Sequence, residues 1–128
     1  MQTIRWSMTL GFLPGYGHEQ GEPADLDAVA QRYQRVATQL QADTGVYISC
    51  VLQASRVIYP EAGGCPAGGE HTFTLSGSCN LAFSELAPYR AALQQLATRL
   101  KAEFRQITVM LEVWPVEADY INSNFAGA

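Results

Sequence analysis

Charged side chains are scarce in this chain: they make up 16% of its 128 residues, and the eight lysines and arginines are scattered. A nucleic-acid backbone needs a clustered basic surface, so a net charge of −4 excludes that class of partner. An anionic membrane surface is disfavoured for the same reason. Long apolar runs are also missing, since none approaches the roughly 20 residues of a spanning helix. Cysteine is reduced to three residues, an odd number. That suits a reducing compartment better than a disulfide framework. The first ten residues alternate like a strand and lack the small-residue cleavage site of a secretory leader. A cytoplasmic protein is the expectation.

Spaced chemical motifs are absent too. There is no His-Glu-x-x-His, no Cys-x-x-Cys, no Asp-rich loop, and no Gly-Lys-Ser/Thr behind the glycine-rich stretch. No cofactor is implied, and no metal-ligand set stands out.

What remains is strong patterning. With 48% apolar residues, the chain can build one core, and 1–116 reads as a single domain with 117–128 as a C-terminal tail. Ile4, Trp6, Met8, Leu10 and Phe12 alternate with polar residues, which predicts a strand over 3–13. Leu26, Val29, Tyr33, Val36 and Leu40 recur at helical steps, predicting a helix over 24–42 with Gly45 as its stop. A strand from Val46 follows, with its alternation slipping between Ala54 and Val57, where a bulge is expected. The symmetrical stretch Glu61-Ala-Gly-Gly-Cys-Pro-Ala-Gly-Gly-Glu70 reads as a wide hairpin tip leading into a strand that carries Phe73, Leu75 and Cys79 on one face. A second helix over 84–105 and a last strand over 107–116, with Ile107, Val109, Leu111 and Val113 inward, complete the pattern.

The order β-α-β-β-α-β is the ferredoxin-like arrangement: an α+β fold with a four-stranded antiparallel sheet and both helices on one face. That topology gathers loops 14–23 and 60–71 at one edge. Tyr16, His18 and Glu19 from the first and Cys65, Glu70 and His71 from the second are therefore the candidate ligand-binding residues. Imidazole, thiolate and carboxylate together suit a borderline metal, and a histidine beside Cys65 would activate its thiol. Cys50 and Cys79 would fall opposite one another across the hairpin, as two packed thiols or as a disulfide.

The open sheet face is hydroxyl-rich with a few large apolar residues. Tyr47, Val51, Met110 and Trp114 are its candidate interface residues, for self-association or a protein partner, against the alternative of a plain solvated face. The favoured functional expectation is a small non-enzymatic binding or regulatory domain, a homodimer that engages a protein or small ligand. The alternative is a small metal-assisted or thiol-based enzyme with its site between the two loops.

Overall fold

The computed structural model of the chain describes residues 1–13 and 25–123. Strand β1 (Gln2–Gly11), helix α1 (Leu26–Thr44), strands β2 (Val51–Val57) and β3 (Glu70–Ser78), helix α2 (Leu86–Glu103) and strand β4 (Leu111–Glu117) follow in that order. The strands form one antiparallel sheet in the order β2-β3-β1-β4. This is the ferredoxin-like topology, and the periodicity of the sequence was enough to predict it.

Helix α1 forms where the sequence can cap it, whereas α2 starts after Glu85 with no side-chain cap. Asp25 accepts backbone hydrogen bonds from Asp27 at 3.0 Å and Ala28 at 3.3 Å, satisfying donors that the first turn leaves open. Gly45 ends α1 in the left-handed region at φ 78° and returns its amide to the Gln41 carbonyl. Pro88 falls in the first turn of α2, where a missing N–H costs little.

One core lies between the helices and a single face of the sheet. Trp6, Met8, Leu10, Phe73 and Leu75 rise from the strands to meet Val29 and Leu40 of α1 and Leu93, Leu96 and Leu100 of α2. Each such side chain, fully buried, is worth about 1.5–3 kcal/mol. The polar edge of Trp6 is satisfied within this core: its Nε1–H donates to the Tyr89 hydroxyl at 2.8 Å.

At one end of the sheet the packing is aromatic. Phe73 and Phe104 lie with ring centroids 4.8 Å apart, and the Arg32 guanidinium stands 4.1 Å over Phe104. The same guanidinium is held by Glu103 at 3.0 Å, which ties α1 to the end of α2. The strand ends that carry the β2–β3 hairpin tip sit at this end, beside the C-terminus of β1.

Several expectations are corrected. β2 begins at Val51, not Val46, and pairs with β3 in unbroken register from Val51↔Ser76 to Val57↔Glu70, so there is no bulge between Ala54 and Val57. The apparent slip has another cause: Ala54 and Arg56 share the face of Leu52 but are exposed, so the helices no longer cover that part of the edge strand. The same register directs Cys50 towards Gly77, not Cys79, and all three cysteines are free thiols. β4 starts four residues later than expected, and Ile107 is 60% exposed where an inward position was predicted. The reason lies in Gln106, whose side-chain carbonyl accepts the Gly11 N–H at 3.0 Å while its amide donates to Leu13 and Phe104. A side chain thus takes the place of a longer ladder.

Candidate active site

The hairpin tip is a folded structure. After β2 the chain passes Tyr59 and Pro60, makes one 3₁₀ turn over Glu61–Gly63, and returns through Gly68 and Gly69 to Glu70, the first residue of β3. Gly69 takes φ 90°, and a Cβ there would stand 2.8 Å from the Val57 carbonyl oxygen, so only glycine lets the two strands meet so closely. Arg56 reaches across the base to the Gly68 carbonyl at 3.2 Å.

Two of the candidate residues converge on Tyr59. Its hydroxyl donates to Glu70 Oε1 at 2.9 Å, and its backbone N–H donates to Cys65 Sγ at 3.5 Å. The Cys65 thiol in turn donates a hydrogen bond to the Pro66 carbonyl at 3.3 Å and is only 9% exposed. By accepting a hydrogen bond from the phenol, the Glu70 carboxylate holds Tyr59 above the usual phenol range; partial desolvation and the carboxylate charge act in the same direction. The tip therefore offers a carboxylate and a phenol in contact, backed by a buried thiol.

His71 does not join them. Strand alternation puts it on the helix side with Phe73, whereas Glu70 shares the open side with Thr72. The expected thiol–imidazole arrangement of Cys65 with His71 is thus not formed. Tyr16, His18 and Glu19 lie outside the described residues, and among those described no group of three or more His, Cys, Asp or Glu is placed to hold a metal ion. Sequence reasoning missed Tyr59. The available signal was an aromatic residue before a proline at the base of a glycine-rich hairpin, with a carboxylate where the chain returns.

A second concavity opens far from the tip, between α1 and the unpaired segment 46–50. This groove of about 470 Å³ is mostly apolar and includes Tyr33, Tyr47, Cys50 and Leu75 in its walls. The Tyr33 hydroxyl donates to the Ile48 carbonyl at 2.6 Å. Burial pushes both the Tyr33 phenol and the Cys50 thiol up, so both stay protonated near neutrality and neither serves as a base.

The open sheet face carries a connected row of hydroxyls. Thr9 bonds Thr74 at 2.8 Å, Thr74 donates to Ser55 at 2.9 Å, and Ser55 bonds Thr72 at 2.8 Å. Val51 and Trp114 stand on this face, 56% and 38% exposed. Met110 precedes β4 and is also exposed. Tyr47 belongs elsewhere: because β2 starts at Val51, it packs against Phe83, which in turn meets Tyr120 edge-on at 5.5 Å.

The sequence model of one protein family, described as SAM lyase, matches residues 1–122. The chain belongs to the SAM lyase family. Two solved structures share its fold. A phage SAM lyase in complex with S-methyl-5'-thioadenosine aligns with a TM-score of 0.58 at 14% identity, over 94% of this chain and 93% of that one. A phage SAM lyase in the apo state aligns with a TM-score of 0.57 at 13% identity, over 94% of each chain. No curated protein sequence matches.

Membership of this family overturns the expectation of a non-enzymatic binding or regulatory domain: the family is one of enzymes. The expectation failed because no spaced motif marks an enzyme in this sequence. Tyr59 and Glu70, which meet at the tip, are eleven residues apart, and only the hairpin's path brings them together.

Proposed function

We propose that this chain cleaves S-adenosylmethionine and releases S-methyl-5'-thioadenosine, with Tyr59 and Glu70 at the hairpin tip as the focus of its site. The observation that carries this reading is the 2.9 Å hydrogen bond between the Tyr59 hydroxyl and the Glu70 carboxylate. The substrate is a sulfonium that also bears an ammonium group. Its cationic end calls for a carboxylate and an aromatic ring, which attract positive charge by Coulomb and quadrupole terms. Among the described residues, the tip supplies both in one place.

The product bound in the related phage enzyme indicates which bond breaks. The Cγ–S electron pair leaves with sulfur, turning the sulfonium into a neutral thioether. In a lyase reaction the four-carbon fragment then completes its Cγ without water. Attack by its own carboxylate oxygen gives a lactone and moves no proton. Loss of a Cβ proton to a base gives an alkene instead. Glu70 Oε1 already accepts a hydrogen bond from the Tyr59 hydroxyl, and the lactone route, which calls on no base, suits this arrangement. In that route charges cancel as the transition state forms, so a site that excludes water speeds the step. The Glu70 carboxylate attracts the sulfonium end by its charge, and the Tyr59 ring beside it adds its quadrupole.

Incubating the purified protein with S-adenosylmethionine and separating the products by chromatography tests this directly. S-methyl-5'-thioadenosine should accumulate with an equimolar four-carbon lactone. Glu70→Gln should lower kcat/KM by about a hundredfold, the scale of one lost electrostatic contact in a catalytic site. An unchanged rate in that variant removes Glu70 from the site, and no turnover of S-adenosylmethionine by the native protein ends the reading. A cytoplasmic setting, which would keep the three free thiols reduced, accords with this role.

A further inference from the structure

We infer that Cys65 and Gly63 are positioning residues that set Tyr59 against Glu70. The inference rests on the reading of Tyr59 and Glu70 as the substrate-binding pair, and it assigns a task to the glycine-rich tip around them.

Tyr59 is held at three points. Its backbone precedes Pro60, which restricts it to extended conformations. Its amide is fixed by the Cys65 sulfur at 3.5 Å, and that thiol is anchored in turn on the Pro66 carbonyl at 3.3 Å. Its ring lies on the backbone of the 3₁₀ turn, so close that a Cβ on Gly63 would stand 3.2 Å from ring atom Cδ2. With the backbone and ring so placed, the hydroxyl meets Glu70 at 2.9 Å.

The composition of the tip fits this task better than that of a plain turn. A solvent-exposed turn has no need for a buried residue at its centre, yet Cys65 is 9% exposed. An aliphatic residue would fill the same volume but could not accept the Tyr59 N–H. Gly63 has the turn conformation of an ordinary residue, and the ring of Tyr59 is what a side chain there would meet.

The test compares Cys65→Val, Cys65→Ser and Gly63→Ala with Tyr59→Phe and Glu70→Gln, all assayed for release of S-methyl-5'-thioadenosine across pH. Misplacing a reacting group by about 1 Å costs on the order of a hundredfold. A shift of a few tenths of an ångström should therefore lower kcat by about three- to tenfold in Cys65→Val and Gly63→Ala, with KM little changed. Cys65→Ser retains an acceptor and should recover much of the loss. The alkaline limb of the kcat profile should also move to lower pH in Cys65→Val, because a Tyr59 hydroxyl loosened from Glu70 returns towards the ordinary phenol value. A merely structural cysteine would alter the unfolding temperature without moving that limb.

If Tyr59→Phe and Glu70→Gln lose activity while Cys65→Val and Gly63→Ala keep the native kcat and alkaline limb, the positioning role is overturned and the substrate-binding pair stands. If Tyr59→Phe and Glu70→Gln are both fully active, the substrate-binding pair itself is wrong and the positioning role falls with it. Should Cys65→Val fail to fold, Gly63→Ala decides the question alone, since it leaves the thiol in place.

Discussion

Individual side chains in this protein are constrained most tightly where a polar atom is buried. Trp6 and Tyr89 meet at 2.8 Å inside the core, the indole donating and the phenol accepting. Tyr89→Phe leaves the indole N–H without its acceptor, and chemical denaturation should show a loss of about 1–3 kcal/mol. The same phenol gives stability a pH dependence. Burial pushes Tyr89 up to about 12 from an ordinary value of 10.0, and the contact with Trp6 only partly opposes that shift. A group raised on folding stabilises fully below its unfolded value and loses that contribution as pH rises through its folded one. Between about pH 10 and pH 12 the native protein should therefore lose stability that Tyr89→Phe does not lose, as thermal unfolding at stepped pH would record. Residue-scale partnerships such as Tyr59 with Glu70 were not legible beforehand. Glu70 and Cys65 were singled out only because loops carry sites, and nothing in their spacing named Tyr59 as the group between them.

At the scale of elements, the strands are aligned by what the sheet must admit. Gly77 sits in β3 between the Trp6 indole and the backbone of segment 46–50. A Cβ there would lie 2.8 Å from the Ser49 carbonyl oxygen and 3.0 Å from Trp6 Nε1. Gly77→Ala should destabilise the fold by about 1–3 kcal/mol, the cost of overpacking, read as a lower denaturation midpoint with an unchanged slope. Element boundaries were partly legible. α1 ends where Gly45 said it would, because a left-handed cap is a local demand. The start of β4 was misplaced because Gln106 completes the end of β1 with its side chain, a long-range contact that periodicity does not encode. The hairpin was recognised from its glycines, but its register placed Cys50 away from Cys79, since twelve loop residues separate β2 from β3 and set the pairing.

For the whole molecule, the sheet has one face under the helices and one that the described residues leave uncovered. Hydroxyls on the uncovered face satisfy one another in a row from Thr9 to Thr72, so the face has less need of water than its polarity suggests. Val51 and Trp114 add apolar area beside them. We propose that a second copy of the chain covers this face, since a surface of paired hydroxyls and apolar groups with little charge is compatible with its own copy. Light scattering after size exclusion should give a mass that is a multiple of 14.0 kDa, and Trp114→Glu should return it to a single chain. A native protein that runs as one chain would discard this assembly. Among the described residues no helix is long and apolar enough to cross a membrane.

By itself the sequence determined the elements, their order and the side of each that faces inward. These follow from periods of two and 3.6 residues, which neighbours along the chain impose on one another. The tertiary structure alone decided which loop residues touch. The contact between Tyr59 and Glu70 depends on the path of the tip, and that path depends on close approaches at Gly63 and Gly69 that no local pattern announces. Such a site is made of distances across a turn, and distances of that kind exist only once the chain has folded.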